Sequence, residues 1–323
     1  MGLLFALISA AAFGLSGSLA RSLIDLGWSP AAVVAVRIGG AFLVLLVPTL
    51  VLLRRTRRPT SRQSVRVVGY GIAAVAMAQL CYFSAVQYLS VGVALLLEYL
   101  APVLLIGYHW ARSRRRPANS VLIGAAIALV GLVFVLDVRN GLTLNPIGVL
   151  WGLGAALGLA AYFVLSEDGG DDPVHPLVLT TGGTGVGALV ILAVAATGFL
   201  PLTARTGTTT LAGTDVTWWL PLLLLITVSA VLAYLTGIIG VRRLGSSVAS
   251  FVSLSEVIFA VVFAAILLAQ RPNGFQLLGG LAILAGITIV QRGAARSPSP
   301  SSPKPVTNDS SGRPEPAVSD RFL

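Results

Sequence analysis

Charge is scarce in this chain. Asp, Glu, Lys and Arg make up 11% of its 323 residues, and 56% are hydrophobic. A soluble domain normally carries about 25% charged residues. With a mean hydropathy of +0.89, the chain lacks the polar surface to cover itself in water. A soluble enzyme or binding module is excluded, and an integral membrane protein is expected. Cys81 is the single cysteine, so no disulfide forms within the chain. His109 and His175 are the two histidines, which leaves little for a zinc or iron–sulfur site. No Walker loop, metal-ligand pair or nucleophile elbow is present, so no cofactor is expected, and neither an ATP-driven pump nor an enzyme. The first apolar run has no basic segment before it and is expected to be retained as a span.

Long apolar runs are what the chain does have. A bilayer core about 30 Å thick takes roughly 20 apolar residues per helix. Ten runs fit: Leu3–Ser22, Ala31–Leu53, Val65–Ala85, Gly92–Ala111, Asn119–Leu136, Pro146–Ser166, Pro176–Phe199, Trp218–Gly240, Ser247–Ala269 and Gly274–Val290. The seventh holds Gly182, Gly183, Gly185 and Gly187, which suit close helix contact. Sheets are not expected, because no run alternates with period two and open edges go unsatisfied in lipid. The sequence therefore predicts an all-α membrane protein of ten transmembrane helices. From residue 293 a Ser/Pro-rich stretch runs to Leu323, with too little apolar content to fold alone.

The net charge of +10 does not indicate nucleic-acid binding, because the basic residues cluster between apolar runs. Arg54, Arg55, Arg57, Arg58, Arg62 and Arg66 follow the second run, and Arg112, Arg114, Arg115 and Arg116 follow the fourth. Arg242 and Arg243 follow the eighth, and five more basic residues follow the tenth. Seventeen thus fall on one side, against Arg21, Arg139, Arg205 and Arg271 on the other. The positive-inside rule then places both termini in the cytoplasm. Glu167, Asp168, Asp171 and Asp172 fall on that same side, but acidic residues count little in this rule.

A shift of 155 positions aligns the middle of the chain with its end. Leu89 meets Leu244, Arg116-Pro117 meets Arg271-Pro272, Leu122 and Gly124 meet Leu277 and Gly279, and Leu129 and Gly131 meet Leu284 and Gly286. Each unit holds five spans, residues 1–144 and 145–292, and an odd number inverts the second unit. Two inverted five-helix repeats are a mark of secondary transporters, with the substrate near the midplane between halves.

Only Glu98 and Glu256 among the acids, and Arg37 among the bases, fall deep within spans. Intramembrane ionisable residues are functional by default. A carboxyl that alternates between protonated and substrate-engaged states couples proton movement to transport; the plainer alternative is a static partner that orders helices. Arg37 holds an anionic substrate group or neutralises an acid, or else snorkels to an interface. Pro102 lies four residues after Glu98 and withholds a donor from its carbonyl, so a helix break is expected beside the carboxylate. Tyr82, Tyr99, Trp151, Tyr162 and Tyr234 are aromatic candidates for the same site, with packing the alternative for each.

Several stretches carry a family likeness over residues 3–291. They are Arg37 in the second span, Leu97-Glu98-Tyr99-Leu100-Ala101-Pro102, Ser255-Glu256-Val257-Ile258-Phe259-Ala260, and the ending Leu277-Leu278-Gly279-Gly280 through Ile287. On these the chain resembles the EamA-type transporters of the drug/metabolite transporter superfamily, most nearly the amino-acid (threonine/homoserine) exporter branch. It departs from the family at Phe13-Gly14, where Trp-Gly is common, and at Ala269-Gln270, where Gly-Glu is common. The resemblance implies a secondary transporter in a bacterial inner or plasma membrane, with protons, lipid and a small amphipathic metabolite as its partners. Multidrug export, metabolite import and a non-transporting scaffold are the alternatives, and monomer and homodimer both stay open.

Overall fold

The computed structural model describes residues 1–55, 59–85, 87–89, 91–114, 116–135, 145–167, 172–269 and 272–295. Arg57, Arg58, Arg115, Arg139, Asp168, Asp171, Gln270, Arg271 and the stretch from residue 296 lie outside the described residues.

Helices dominate. In the first half they are α1 (Gly2–Asp25), α2 (Pro30–Arg55), α3 (Ser61–Gly69), α4 (Ala78–Ala85), α5 (Val91–Glu98), α6 (Ala101–Ser113) and α7 (Asn119–Val135). A π-helical stretch, Tyr70–Met77, joins α3 to α4 as one span. In the second half they are α8 (Pro146–Ser166), α9 (Pro176–Ala196), α10 (Trp219–Ile226), α11 (Ala233–Leu244), α12 (Ser246–Ser253), α13 (Ser255–Leu267) and α14 (Gly274–Ala295). A second π-helical stretch, Thr227–Leu232, joins α10 to α11. Among the described residues nine spans are long and apolar enough to cross a membrane, and α7 is a shorter apolar helix. α14 runs to Ala295, past the boundary expected at residue 292.

Local chemistry sets the ends. Thr60 caps α3 in a reciprocal box with Gln63. Asn145 Oδ1 accepts from the N–H groups of Ile147 and Gly148, and Pro146 opens α8. His175 Nδ1 accepts from Leu177 N–H at the start of α9.

Strands were not expected, yet β1 (Thr208–Leu211) and β2 (Thr214–Thr217) form an antiparallel hairpin. Ala212 (φ 53°) and Gly213 (φ 76°) make its two-residue turn, the left-handed geometry that matches strand twist. The hairpin lies between spans, so it escapes the rule against open sheets in lipid. Its Leu211 packs with Leu19, Leu23 and Trp28, and Ala212 N–H donates to Leu267 O at 2.8 Å.

The halves exchange partners. α1 packs on α11 and α13 of the second half, and α8 packs on α4, α5 and the first π stretch. α2 meets α9, and α7 meets α14. The α7–α14 crossing is made of glycines that the 155-residue shift relates. A β-carbon at Gly131 would lie 2.6 Å from Gly279 O, and one at Gly286 would lie 2.6 Å from Gly124 O. Gly183 of α9 gives its missing side chain's space to the ring of Tyr70. One face of the bundle carries Arg54, Arg55, Arg66, Arg112, Arg114, Arg242, Arg243 and Arg292 at helix ends, and it is called the basic face below. The hairpin stands at the opposite face.

Candidate functional site

The fourth span of each half is broken, at equivalent positions. In the first half α5 ends at Glu98, Tyr99 and Leu100 form a turn, and α6 starts at Ala101 with Pro102 in its first turn. Proline fits there because a first-turn N–H has no intrahelical acceptor. In the second half Leu254 separates α12 from α13, and the 155-residue shift maps Tyr99 onto Leu254. No proline lies there. Instead Ser250 Oγ donates to Ser247 O, Ser253 Oγ to Ser250 O, and Ser255 Oγ to Val252 O, each at 2.7 Å. Serines that bond back to the preceding turn bend a helix. Glu98 is the last residue before one break, and Glu256 lies two residues beyond the other.

The two acids share one site. Each lies within electrostatic reach of the other and of Tyr99 and Tyr82. Tyr99 is buried, and its hydroxyl lies beside the Glu256 carboxylate. Arg37 faces Glu256 from α2 and Tyr234 from α11. Its side chain is 8% exposed. Nη2 donates to Ser229 O at 2.9 Å, in the second π stretch, and Cζ stands 5.6 Å from the ring centroid of Phe13. Arg37 Nε and Ser229 Oγ are buried without a hydrogen-bond partner. A guanidinium placed this way presents a free donor beside a free hydroxyl, while two carboxyls stand across the same space.

An aromatic line leads away from the acids. Phe13 meets Tyr234 edge-on at 5.1 Å, Tyr234 meets Tyr162 at 6.0 Å, and Tyr162 meets Tyr70 at 6.0 Å. All three tyrosines belong to the buried core. Ser9 lies next to the Tyr162 hydroxyl, and Ser166 next to that of Tyr70, neither in hydrogen-bonding geometry.

Of the expected residues, Glu98, Glu256, Arg37, Tyr82, Tyr99, Tyr162 and Tyr234 thus come together, with Pro102 at the break. Trp151 does not join them. It is 37% exposed near the start of α8, where an aromatic ring serves the lipid-facing surface. Ser229 joins the site without having been expected, and Tyr70 and Ser166 lie outside it at the far end of the aromatic line. In sequence each is an ordinary small or aromatic residue in an apolar run, and only the helix contacts give them a setting. Among the described residues no group of three His, Cys, Asp or Glu side chains stands ready for a metal. His109 Nε2 pairs with Ser246 Oγ at 2.7 Å, at the basic ends of α6 and α12.

Comparison with known proteins agrees with this architecture. A solved crystal structure shares the fold at a TM-score of 0.73 over 92% of this chain and 99% of that chain, at 20% identity. The threonine/homoserine exporter RhtA of Salmonella typhimurium is 28% identical over 88% of both chains. The uncharacterized transporter YwfM of Bacillus subtilis is 31% identical over 30% of this chain and a third (33%) of its own length. The model of the EamA-like transporter family matches residues 1–137 and again 146–292. With both halves matched and the spans, breaks and buried charges in place, the chain belongs to the EamA-like transporter family.

Proposed function

We propose that this chain is a proton-coupled exporter of a small zwitterionic metabolite, an amino acid such as threonine or homoserine. In this reading the halves 1–144 and 145–292 alternate access to the site across a bacterial inner membrane. The basic face and both termini lie in the cytoplasm, and the residues beyond α14 have no transport role.

One observation carries the reading: a buried guanidinium with a free Nε stands in the same site as two carboxyls. A zwitterion has one group for each. Its carboxylate suits Arg37 and the Ser229 hydroxyl, and its ammonium suits Glu98 and Glu256. Two carboxyls in a low-dielectric site do not both stay ionised without a cation between them. Substrate ammonium and proton therefore compete for the pair, which couples export of one to entry of the other. Tyr99 and Tyr82 position the carboxyls. The exporter relative supports the amino-acid class. The excess of Arg and Lys on one face supports the orientation.

The test uses proteoliposomes loaded with labelled threonine, homoserine and other amino acids, with and without a pH gradient. Gradient-stimulated release that Glu98→Gln abolishes is the expected result. Release indifferent to the gradient removes the coupling, and folded protein that releases no amino acid removes the substrate class.

A further inference from the structure

We propose that Tyr70, Tyr162 and Ser166 line a water-bearing passage through which Glu256 exchanges protons with the basic face. The inference rests on the reading above, in which Glu256 belongs to the coupling site.

Three hydroxyls carry it. Tyr70 Oη, Tyr162 Oη and Ser166 Oγ are buried and have no hydrogen-bond partner within the protein. A single orphaned polar atom is uncommon, because burying one without a partner costs about as much as losing a hydrogen bond. Three in succession along one line point to bridging water, which satisfies buried polar groups in this way. A packing role does not explain them. Phe fills the same space as Tyr, and the surrounding cluster of Ile38, Val75, Leu179 and Ile238 is apolar.

The line has the right ends. Ser166 is the last residue of α8, and two partly exposed arginines gather the carbonyls around it. Arg66 donates to Leu165 O and Glu167 O, and Arg242 donates to Ser166 O and Val174 O. Solvent thus lies just beyond Ser166. At the other end Tyr162 and Tyr234 face Glu256. Arg37 from α2, Tyr99 and Glu98 from the α5–α6 break, and Tyr82 from α4 are the other charged or titratable groups near Glu256, and Cys81 from α4 stands near Glu98. Rings that abut at 6.0 Å exclude a substrate but not single waters beside the hydroxyls. Each phenol or serine hydroxyl both donates and accepts, so it takes one proton from a neighbouring water and passes on its own, unchanged at the end.

Two measurements test the passage. X-ray hydroxyl-radical footprinting of the protein in nanodiscs oxidises buried side chains that sit beside bound water. Tyr70 and Tyr162 are expected to label well above Phe251, which is equally buried among apolar groups. Labelling of both tyrosines no higher than that of Phe251 overturns the passage. In proteoliposomes, Tyr70→Phe and Ser166→Ala are expected to lose the stimulation by a pH gradient several-fold. Exchange of labelled for unlabelled threonine at equal pH is expected to persist, which shows the variants folded. A wild type that responds to the gradient while both variants respond equally removes the passage alone. A wild type indifferent to the gradient removes the coupling reading, and the passage with it.

Discussion

Replacing Gly131 by Ala puts a methyl group where two helices touch through their backbones. The new β-carbon would lie 2.6 Å from Gly279 O and 2.7 Å from Ile283 N, whereas ordinary contact begins at 3.4 Å. Backbone atoms of α14 have no rotamer to change, so α7 and α14 must separate along their whole crossing. A gap of about 0.5–1 Å forfeits a quarter to a half of each dispersion contact. Overpacking of this kind costs about 1–3 kcal/mol. In a membrane such packing is a main source of helix association, because lipid offers no hydrophobic drive. Alanine also gains about 0.5–1 kcal/mol over glycine in a helix. The same gain without the clash is available at Gly17 of α1, where a β-carbon meets nothing within 4 Å. Gly17→Ala should therefore raise the apparent Tm of the purified protein, and Gly131→Ala should lower it by several degrees. Gly279→Ala should add little to Gly131→Ala, since the crossing has already opened. Threonine affinity should stay unchanged in Gly131→Ala and Gly279→Ala, because neither α7 nor α14 supplies a residue to the site. Equal and positive shifts for Gly131→Ala and Gly17→Ala would refute this account of the crossing.

Other expectations concern caps and charges. His175 caps α9 through an unprotonated Nδ1, and burial together with the neighbouring Arg242 holds its pKa below the ordinary 6.5. As pH falls below about 6.5 the unfolded chain takes the proton first, so the stability contributed by the neutral ring is present above that value and lost below it. Thermal melts from pH 8 to 5 should show the decline, and His175→Asn, which caps without titrating, should flatten it. Ser29 Oγ donates to Pro201 O at 2.7 Å and accepts from Ala32 N–H and Thr203 N–H. Ser29→Ala should cost about 1–2 kcal/mol and speed hydrogen exchange at Thr203. Arg37→Lys keeps the charge but not the planar fork. It should weaken threonine binding by calorimetry while leaving the melting curve close to wild type; unchanged binding would remove Arg37 from the site.

The sequence held the scaffold openly and the site only in part. All ten apolar runs became helices, nine of them long enough to cross a bilayer among the described residues and α7 shorter, because bilayer thickness imposes their length. The 155-residue shift also found Gly124, Gly131, Gly279 and Gly286 as equivalents. That they touch one another across the α7–α14 crossing is tertiary information. Pro102 marked one helix break. Leu254 marks the other without any proline, through serines that bond back to the preceding turn, a choice the residue types leave open. The hairpin carries one turn signal, Ala212-Gly213, but its two strands of four residues lie outside the apolar runs and are too short for a period-two pattern to stand out. Glu98, Glu256 and Arg37 stood out because charge in an apolar run is costly. Tyr70 did not, because a tyrosine in such a run is ordinary until its hydroxyl is found without a partner.

The two π-helical stretches, Tyr70–Met77 and Thr227–Leu232, occupy the third span of each half, and the 155-residue shift overlays them. A π turn holds one more residue than an α turn. Everything beyond it is rotated by about 100° relative to an uninterrupted α-helix. Each stretch thus shifts the register of the span beyond it, at equivalent places in the two halves. In the first half the rotation decides which face of α4 carries Tyr82 toward the acids; in the second it decides which face of α11 carries Tyr234 toward Arg37. Deleting one residue from either stretch would restore an unbroken α-helix and turn the tyrosine beyond it away from the site. The polar chemistry that differs between the halves is therefore aimed by a backbone irregularity that both halves share.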